Sequence, residues 1–173
     1  ANAAADDNAA LRHAAENGHI SVVSTLLEIS EVAANAADVN NYALCWAANN
    51  GHISVVSELL EIPAVINNAA AKDNFALRCA ARKGHNDVVS KLLGIPEVAA
   101  NVAADDNTAL RHATNNGQIS VVRTLLEIPE VLVHARDNCN YALRMAAENG
   151  HLNIVNRLLE IPAVIAAASA KDN

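Results

Sequence analysis

The side chains of this chain best suited to a structural zinc site are seven histidines and three cysteines. A structural zinc site needs about four such ligands around one ion. Four histidines each follow a recurring glycine, and repeats that stack at helix-packing distance would hold them roughly 10 Å apart, too far to share an ion. These four residues are His19, His52, His85 and His151. We expect them to bond loop backbone of a neighbouring repeat, and we predict no metal site and no cofactor.

The cysteines and the sequence motifs give no sign of catalysis. Three cysteines without paired spacing fit a reducing, cytoplasmic compartment better than a disulfide framework. Cys45 and Cys79 occupy neighbouring positions of adjacent repeats and could approach each other, but no base accompanies them. A glycine-rich phosphate loop, a Cys-His-acid cluster and a G-x-S-x-G elbow are all missing from the sequence. We therefore predict that the chain is not an enzyme and has no small-molecule substrate.

Composition excludes further classes of partner. Nineteen Asp and Glu outnumber twelve Lys and Arg, so the net charge is −7, and no long basic run favours nucleic acid. No apolar stretch approaches the roughly 20 residues of a membrane span. The first seven residues lack the basic and apolar regions of a signal peptide, so none is expected. Alanine accounts for 37 residues and aromatic rings for only four, which predicts a thin core made by close approach of small side chains.

A period of 33 residues organises the whole chain. It is marked by five glycines: Gly18, Gly51, Gly84, Gly117 and Gly150. The units are 8–40, 41–73, 74–106, 107–139 and 140–172, without insertion or deletion. A fixed interval of this size indicates a solenoid or array, so we treat 1–173 as one repeat array. Residues 1–7 and Asn173 match partial units, and we expect the array to continue beyond this chain.

The unit 74–106 illustrates the local structure that we expect. Asp73 and Asn74 have side chains suited to cap the backbone N–H groups of a first helix, and Gly84 suits its C-terminus. A second helix with valines and leucines on one face follows, and Pro96 suits the first position of a short third helix. Such short helices cannot bury their apolar faces alone, so the units must stack on one another.

The string Ala-Leu-Arg-His-Ala-Thr-Asn-Asn-Gly-Gln-Ile-Ser-Val-Val-Arg-Thr-Leu-Leu at 109–126 resembles the ankyrin repeat, and 47–56 and 147–151 resemble it more closely. The resemblance recurs five times and covers the chain. It implies a solenoid of five stacked ankyrin-like repeats that recognises proteins through its concave face without catalysis. The family has glycines in its projecting β-hairpin where this chain has proline or aspartate, as at Pro96 and Asp73. We therefore predict an all-α variant with three helices per repeat and no hairpin.

The repeats differ from one another along one face of the first helix. Positions two, six and nine of each unit vary, and their spacings of four and three place them on one helical stripe opposite the packing alanines. All four aromatic residues of the chain lie in this variable stripe. Aromatic and methionine side chains form the cores of interfaces. The predicted partner-binding residues are Tyr42, Trp46, Phe75, Cys79, Arg82, His112, Tyr141 and Met145.

An arginine follows the recurrent leucine in four repeats: Arg12, Arg78, Arg111 and Arg144. These arginines could form an anion-binding strip. We favour pairing of each with a nearby Asp or Asn in the loops between repeats, because the protein is acidic overall.

Two functions from different classes remain open. The chain is either a monomeric binding module that uses the variable stripe, or a structural spacer within a longer array that binds nothing itself. A designed consensus array is less favoured, because isolated departures such as Ser30 and Gly94 interrupt the pattern. A spacer has no need of exposed rings, so burial of Tyr42 and Trp46 between repeats would favour the spacer.

Overall fold

The computed structural model describes residues 5–135 and 137–169, with side chains over 8–103, 107–135 and 140–168. Helices and short turns account for the described residues, and 5–135 and 137–169 contain no β-strand. The helices recur in triplets: a first helix of 12 or 13 residues, a second of 7 or 8, and a third that has 5 residues except in the last triplet, where it has 8. The all-helical solenoid predicted from the sequence is confirmed, including the short third helix in place of a hairpin.

The long first helices are α1 (Ala5–Glu16), α4 (Asp38–Asn49), α7 (Ala71–Lys83), α10 (Ala104–Asn115) and α13 (Asp137–Glu148). The second helices are α2 (Ile20–Leu27), α5 (Ile53–Leu59), α8 (Asn86–Leu93), α11 (Ile119–Leu126) and α14 (Leu152–Leu158). The third helices are α3 (Ser30–Ala34), α6 (Pro63–Asn67), α9 (Pro96–Ala100), α12 (Pro129–Val133) and α15 (Pro162–Ser169). The exact bounds of the five units stay a prediction, and the partial units at 1–7 and 173 lie partly or wholly outside the described residues.

Proline and glycine set the helix ends as local backbone rules require. Pro96 is the first residue of α9, and Ile95 before it is extended, with ψ of 121°. Proline fits this position because the first helical N–H has no partner within the helix. Gly84 ends α7 in the left-handed region with φ of 85°, where a side chain would be strained.

A buried asparagine with a left-handed backbone lies at the entry to each first helix. These asparagines are Asn8, Asn41, Asn74, Asn107 and Asn140, and their φ values lie between 55° and 63°. In α7 all three residues of 72–74 are left-handed. Asn74 Nδ2 donates a hydrogen bond of 2.9 Å to the carbonyl of Val98 in the third helix, 24 residues along the chain. The same bond recurs from the other four asparagines at 2.7–3.2 Å.

This arrangement corrects the prediction that Asn74 caps the first helix. Its side-chain oxygen, which a cap would use as acceptor, has no hydrogen-bond partner among the described residues. The amide instead ties the first helix of a repeat to the third. Asparagine suits the position because it tolerates the left-handed region better than other residues with a Cβ.

The repeats pack through rows of like helices. Each first helix contacts the next first helix, from α1 to α13, and each second helix contacts the next second helix, from α2 to α14. Alanines with no exposed surface lie in the first row, as at Ala47, Ala80 and Ala113. The small side chains allow the helices to approach closely, while fully buried leucines such as Leu44 and Leu92 each contribute about 1.5–3 kcal/mol by leaving water.

Candidate protein-binding face

Two neighbouring first helices, α4 and α7, hold the centre of the variable stripe. Tyr42 and Trp46 are one turn apart on α4, and Phe75 and Cys79 have the same spacing on α7. The left-handed turn at 39–41 sets where the regular part of α4 begins, and so which residues share this face. Because α4 packs directly on α7, the two sets of side chains lie side by side.

An open pocket of about 160 Å³ lies between these two helices. It is lined by Tyr42, Cys45, Trp46, Asn49, Phe75, Cys79 and Arg82. The α4 residues follow the i, i+3, i+4, i+7 spacing of one helical face, and the α7 residues follow i, i+4, i+7. Aromatic rings and thiols form most of the wall, and the polar groups are those of Asn49, Arg82 and the Tyr42 hydroxyl.

The rings around the pocket are partly open to solvent. Trp46 is 42% exposed, whereas Tyr42 and Phe75 are half-buried. The ammonium of Lys72 lies 5.4 Å from the centroid of the Tyr42 ring, and the guanidinium carbon of Arg78 lies 5.8 Å from that of Phe75. Cation–π contacts of this kind contribute about 0.5–1 kcal/mol at exposed sites and help to fix the orientation of the rings.

The polar end of the pocket joins two repeats. Arg82 Nη2 donates a hydrogen bond of 3.2 Å to Asn49 Oδ1. The carbonyl of Asn49 accepts a second bond, of 3.1 Å, from Nε2 of His85. His52 bonds the carbonyl of Glu16 in the same way at 3.0 Å, and His151 bonds that of Asn115 at 3.2 Å. The predicted bond to the backbone of a neighbouring repeat is confirmed for His52, His85 and His151, whose acceptors are the last residues of the preceding first helices. For His19 it stays a prediction.

The two thiols of the pocket are neutral, apolar surface at physiological pH. Burial, and to a lesser extent the neighbouring Cys79, together raise the pKa of Cys45 from 9.0 to about 12. Burial also raises the pKa of Cys79, although nearby Arg82 opposes this effect. Both residues are free cysteines. Since the thiolate is the reactive form, neither residue is an activated nucleophile.

Positive charge is concentrated beside this pocket. Helix α7 has four basic residues, Lys72, Arg78, Arg82 and Lys83, against a single acidic residue, Asp73. The pKa of His112, on the following first helix, is lowered first by burial and then by the guanidinium groups of Arg78, Arg82 and Arg111. Positive charge is therefore locally concentrated on α7 and around His112, in a chain whose net charge is −7.

Five of the eight residues predicted as partner-binding meet at the pocket: Tyr42, Trp46, Phe75, Cys79 and Arg82. His112 lies beside the guanidinium cluster. Tyr141 and Met145 lie on α13 and do not line the pocket. The guanidinium carbon of Arg111 is 4.3 Å from the Tyr141 ring centroid, and that of Arg144 is 6.0 Å away. With Arg78 at Phe75, three arginines of the predicted ladder contact a ring.

Two pocket residues, Cys45 and Asn49, were not predicted as binding residues. Cys45 precedes Trp46 in the chain and is buried, outside the three varying positions of the unit. Asn49 does occupy one of those positions, the ninth, as Arg82 does in the next repeat. The variation among the repeats could therefore have identified Asn49 as a pocket residue. The possible approach of Cys45 to Cys79 could have identified Cys45.

Metal and membrane features are absent from the described parts of the chain. Over those residues, no three His, Cys, Asp or Glu side chains are grouped closely enough to hold a metal ion. None of the described helices is both long and apolar enough to cross a bilayer.

A family model described as "Ankyrin repeats (3 copies)" matches residues 1–70, 44–133 and 77–169. No curated protein matches the chain. Ankyrin repeats are in general modules for protein–protein interaction and are non-catalytic. The matches overlap and together extend over 1–169, and the all-helical stack agrees with them. The chain therefore belongs to the ankyrin-repeat family.

Proposed function

We propose that this chain is a non-catalytic module that binds a protein partner through the variable stripe of its first helices, centred on Tyr42, Trp46 and Phe75. The observation that carries the proposal is the exposure of Trp46. It is the single tryptophan of the chain, and 42% of its surface is open at an apolar pocket. In this family the first helices line the concave face, where partners bind.

Interface energetics support the same residues. Tryptophan and tyrosine, together with arginine, are the side chains most often responsible for binding energy, and truncation of one central anchor costs about 2 kcal/mol or more. Trp46 and Arg82 flank one pocket, with Tyr42 beside them. A stripe of this composition on a rigid helical stack is pre-organised, which reduces the entropy cost of binding.

The alternative function is a structural spacer that has no binding site. A spacer would bury its rings between repeats, where they contribute to stacking. Tyr42 and Phe75 are half-buried in the wall between α4 and α7, but the exposed surface of Trp46 adds nothing to stacking. The two functions therefore predict different effects of removing the rings.

The proposal is tested by affinity capture from a lysate of the source cells, read by mass spectrometry. The baits are the original chain, the triple variant Tyr42→Ala, Trp46→Ala, Phe75→Ala, and the control Val133→Ala. Val133 is 65% exposed on the third helix α12, so the control removes exposed apolar surface away from the stripe. Circular dichroism confirms that all baits are equally helical.

We expect at least one protein to be captured by the original chain and by Val133→Ala, and to be lost with the triple variant. Identical lists from all three folded baits would contradict the proposal and favour the spacer. Capture of nothing by any bait would also favour the spacer.

A further inference from the structure

We infer that the pocket between α4 and α7 recognises a segment of a protein partner in which one large apolar side chain stands next to an aspartate or glutamate. The apolar side chain enters the pocket, and the carboxylate pairs with Arg82 at its edge. This inference rests on the proposed function and specifies what the stripe binds.

The size of the pocket limits the apolar part of the ligand. Its volume is about 160 Å³. For comparison, an apolar cavity of about 150 Å³ in another protein binds one benzene molecule. The space therefore accommodates one aromatic ring or one branched aliphatic side chain. Its walls, Tyr42, Trp46, Phe75 and two neutral thiols, offer an apolar surface to such a group.

The charge next to the pocket determines the polar part of the ligand. Arg82 is exposed, lines the pocket, and already donates one hydrogen bond to the Asn49 amide. A guanidinium has five N–H donors in a planar fork, so it can hold a carboxylate as well. Lys83 follows at the same helix end and is also exposed. Helix α4 on the other side has one aspartate and no basic residue, so the positive charge comes from α7.

The overall charge excludes an extended polyanion as the natural ligand. With a net charge of −7, the chain as a whole disfavours contact with a long polyanion that extends beyond the basic cluster. The basic cluster on α7 acts within about 8 Å at physiological salt, because counterions screen charges beyond that distance. Such a cluster is suited to one or two carboxylates on a short segment.

The test begins with selection of random phage-displayed peptides on the full chain. We expect enriched peptides to place Phe, Leu, Met or Trp beside Asp or Glu. One such peptide is then synthesised with a fluorescent label, and its binding is followed by fluorescence anisotropy, a readout that also serves the Trp46→Ala variant. Arg82→Glu is expected to weaken binding at least about tenfold, as for loss of one charge-assisted hydrogen bond.

Two controls make the result specific. Arg123→Glu reverses an exposed arginine on the second helix α11 and is expected to leave binding within about twofold. A peptide with lysine in place of the acidic residue is expected to bind Arg82→Glu better than it binds the original chain. The exposure of Arg82 means that the variant folds, and circular dichroism checks this.

The other outcomes separate the inference from the proposed function. Enriched peptides that need Trp46 but contain no acidic residue would overturn the inference and leave the stripe as a binding site. If the peptides bind Tyr42→Ala and Trp46→Ala as well as they bind the original chain, both the inference and the proposed function are contradicted. The same holds if the original chain enriches no peptides relative to these variants. Unchanged affinity for Arg82→Glu would overturn the role of the carboxylate alone.

Discussion

Replacement of the buried asparagine Asn74 by alanine provides a quantitative test of how each repeat is held together. Asn74 is 2% exposed, has a φ of 58°, and donates its hydrogen bond of 2.9 Å to the Val98 carbonyl. Asn74→Ala removes the amide, so the tie between α7 and α9 is lost. It also leaves a residue with a Cβ and no local polar group in the left-handed region.

The two losses have similar magnitudes. A typical buried hydrogen bond contributes about 1 kcal/mol net, and the left-handed conformation costs an ordinary L-residue roughly 1–2 kcal/mol. Asn74→Ala should therefore lower the free energy of unfolding by about 2–3 kcal/mol. Asn74→Gly loses the same hydrogen bond without the strain, so we expect it to be roughly 1 kcal/mol more stable than Asn74→Ala.

The assay is urea unfolding followed by circular dichroism, with midpoints compared at equal slope. Asn101→Ala is the matched control, because Asn101 is exposed and its amide bonds Glu97 within a single turn at 2.9 Å. It should change stability by less than about 0.5 kcal/mol. The reasoning is refuted if Asn74→Ala unfolds within that margin of the original chain. If Asn74→Gly proves no more stable than Asn74→Ala, the contribution assigned to backbone strain is wrong.

Three further predictions use other features of the stack. Gly51 has a φ of 76°, and a Cβ there would overlap the His85 ring, so Gly51→Ala should lower the free energy of unfolding by at least about 1–2 kcal/mol in the same assay. The control Gly94→Ala, at a φ of −69°, should change it by less than about 1 kcal/mol, and equal losses for the two variants would contradict this reasoning. The pKa of His112 is lowered in the folded chain, so its protonation favours the unfolded state, and stability should fall as the pH decreases through 6.5, the ordinary pKa of histidine. This part of the loss should disappear in His112→Gln. Superimposable pH–stability profiles for the two proteins would show that the pKa shift is absent. Because the pKa of Cys45 is about 12 rather than 9.0, the thiolate fraction of Cys45 at pH 8 is about 10³ times lower than that of an ordinary cysteine. Peptide mapping after iodoacetamide treatment should therefore find Cys45 unmodified in the folded chain and alkylated in urea. Equal alkylation rates in the two states would be inconsistent with burial of the thiol.

The helices of this fold were predictable because their limits obey local rules. Pro96 cannot continue a preceding helix and suits the start of a new one, while Gly84 readily adopts a positive φ. The role of Asn74 was not predictable in this way. Asparagine is equally typical of helix caps and of left-handed turns, and its true acceptor lies 24 residues further along the chain. Only the packing of α9 against the start of α7 decides between the two.

The candidate site was predictable in part. Helical spacing places Tyr42 and Trp46 on one face, and the 33-residue period places Phe75 on the neighbouring helix at the position of Tyr42. Helical spacing does not show how deeply a side chain is buried, so only the structure reveals that Cys45 forms part of the pocket wall. It also does not give the neighbours of Tyr141, whose ring contacts Arg111 and does not join the pocket.

The central claim is that a protein partner contacts the first-helix face at Trp46. It is tested most directly by replacing Trp46 with the photoreactive amino acid p-benzoylphenylalanine, which keeps an aromatic side chain, and irradiating the chain in a lysate of the source cells. The same replacement at Val133, on the third helix, is the control. We predict a discrete cross-linked protein from position 46 that is absent from position 133. Adducts of equal yield from both positions, adducts from Val133 alone, or none from either would contradict the account.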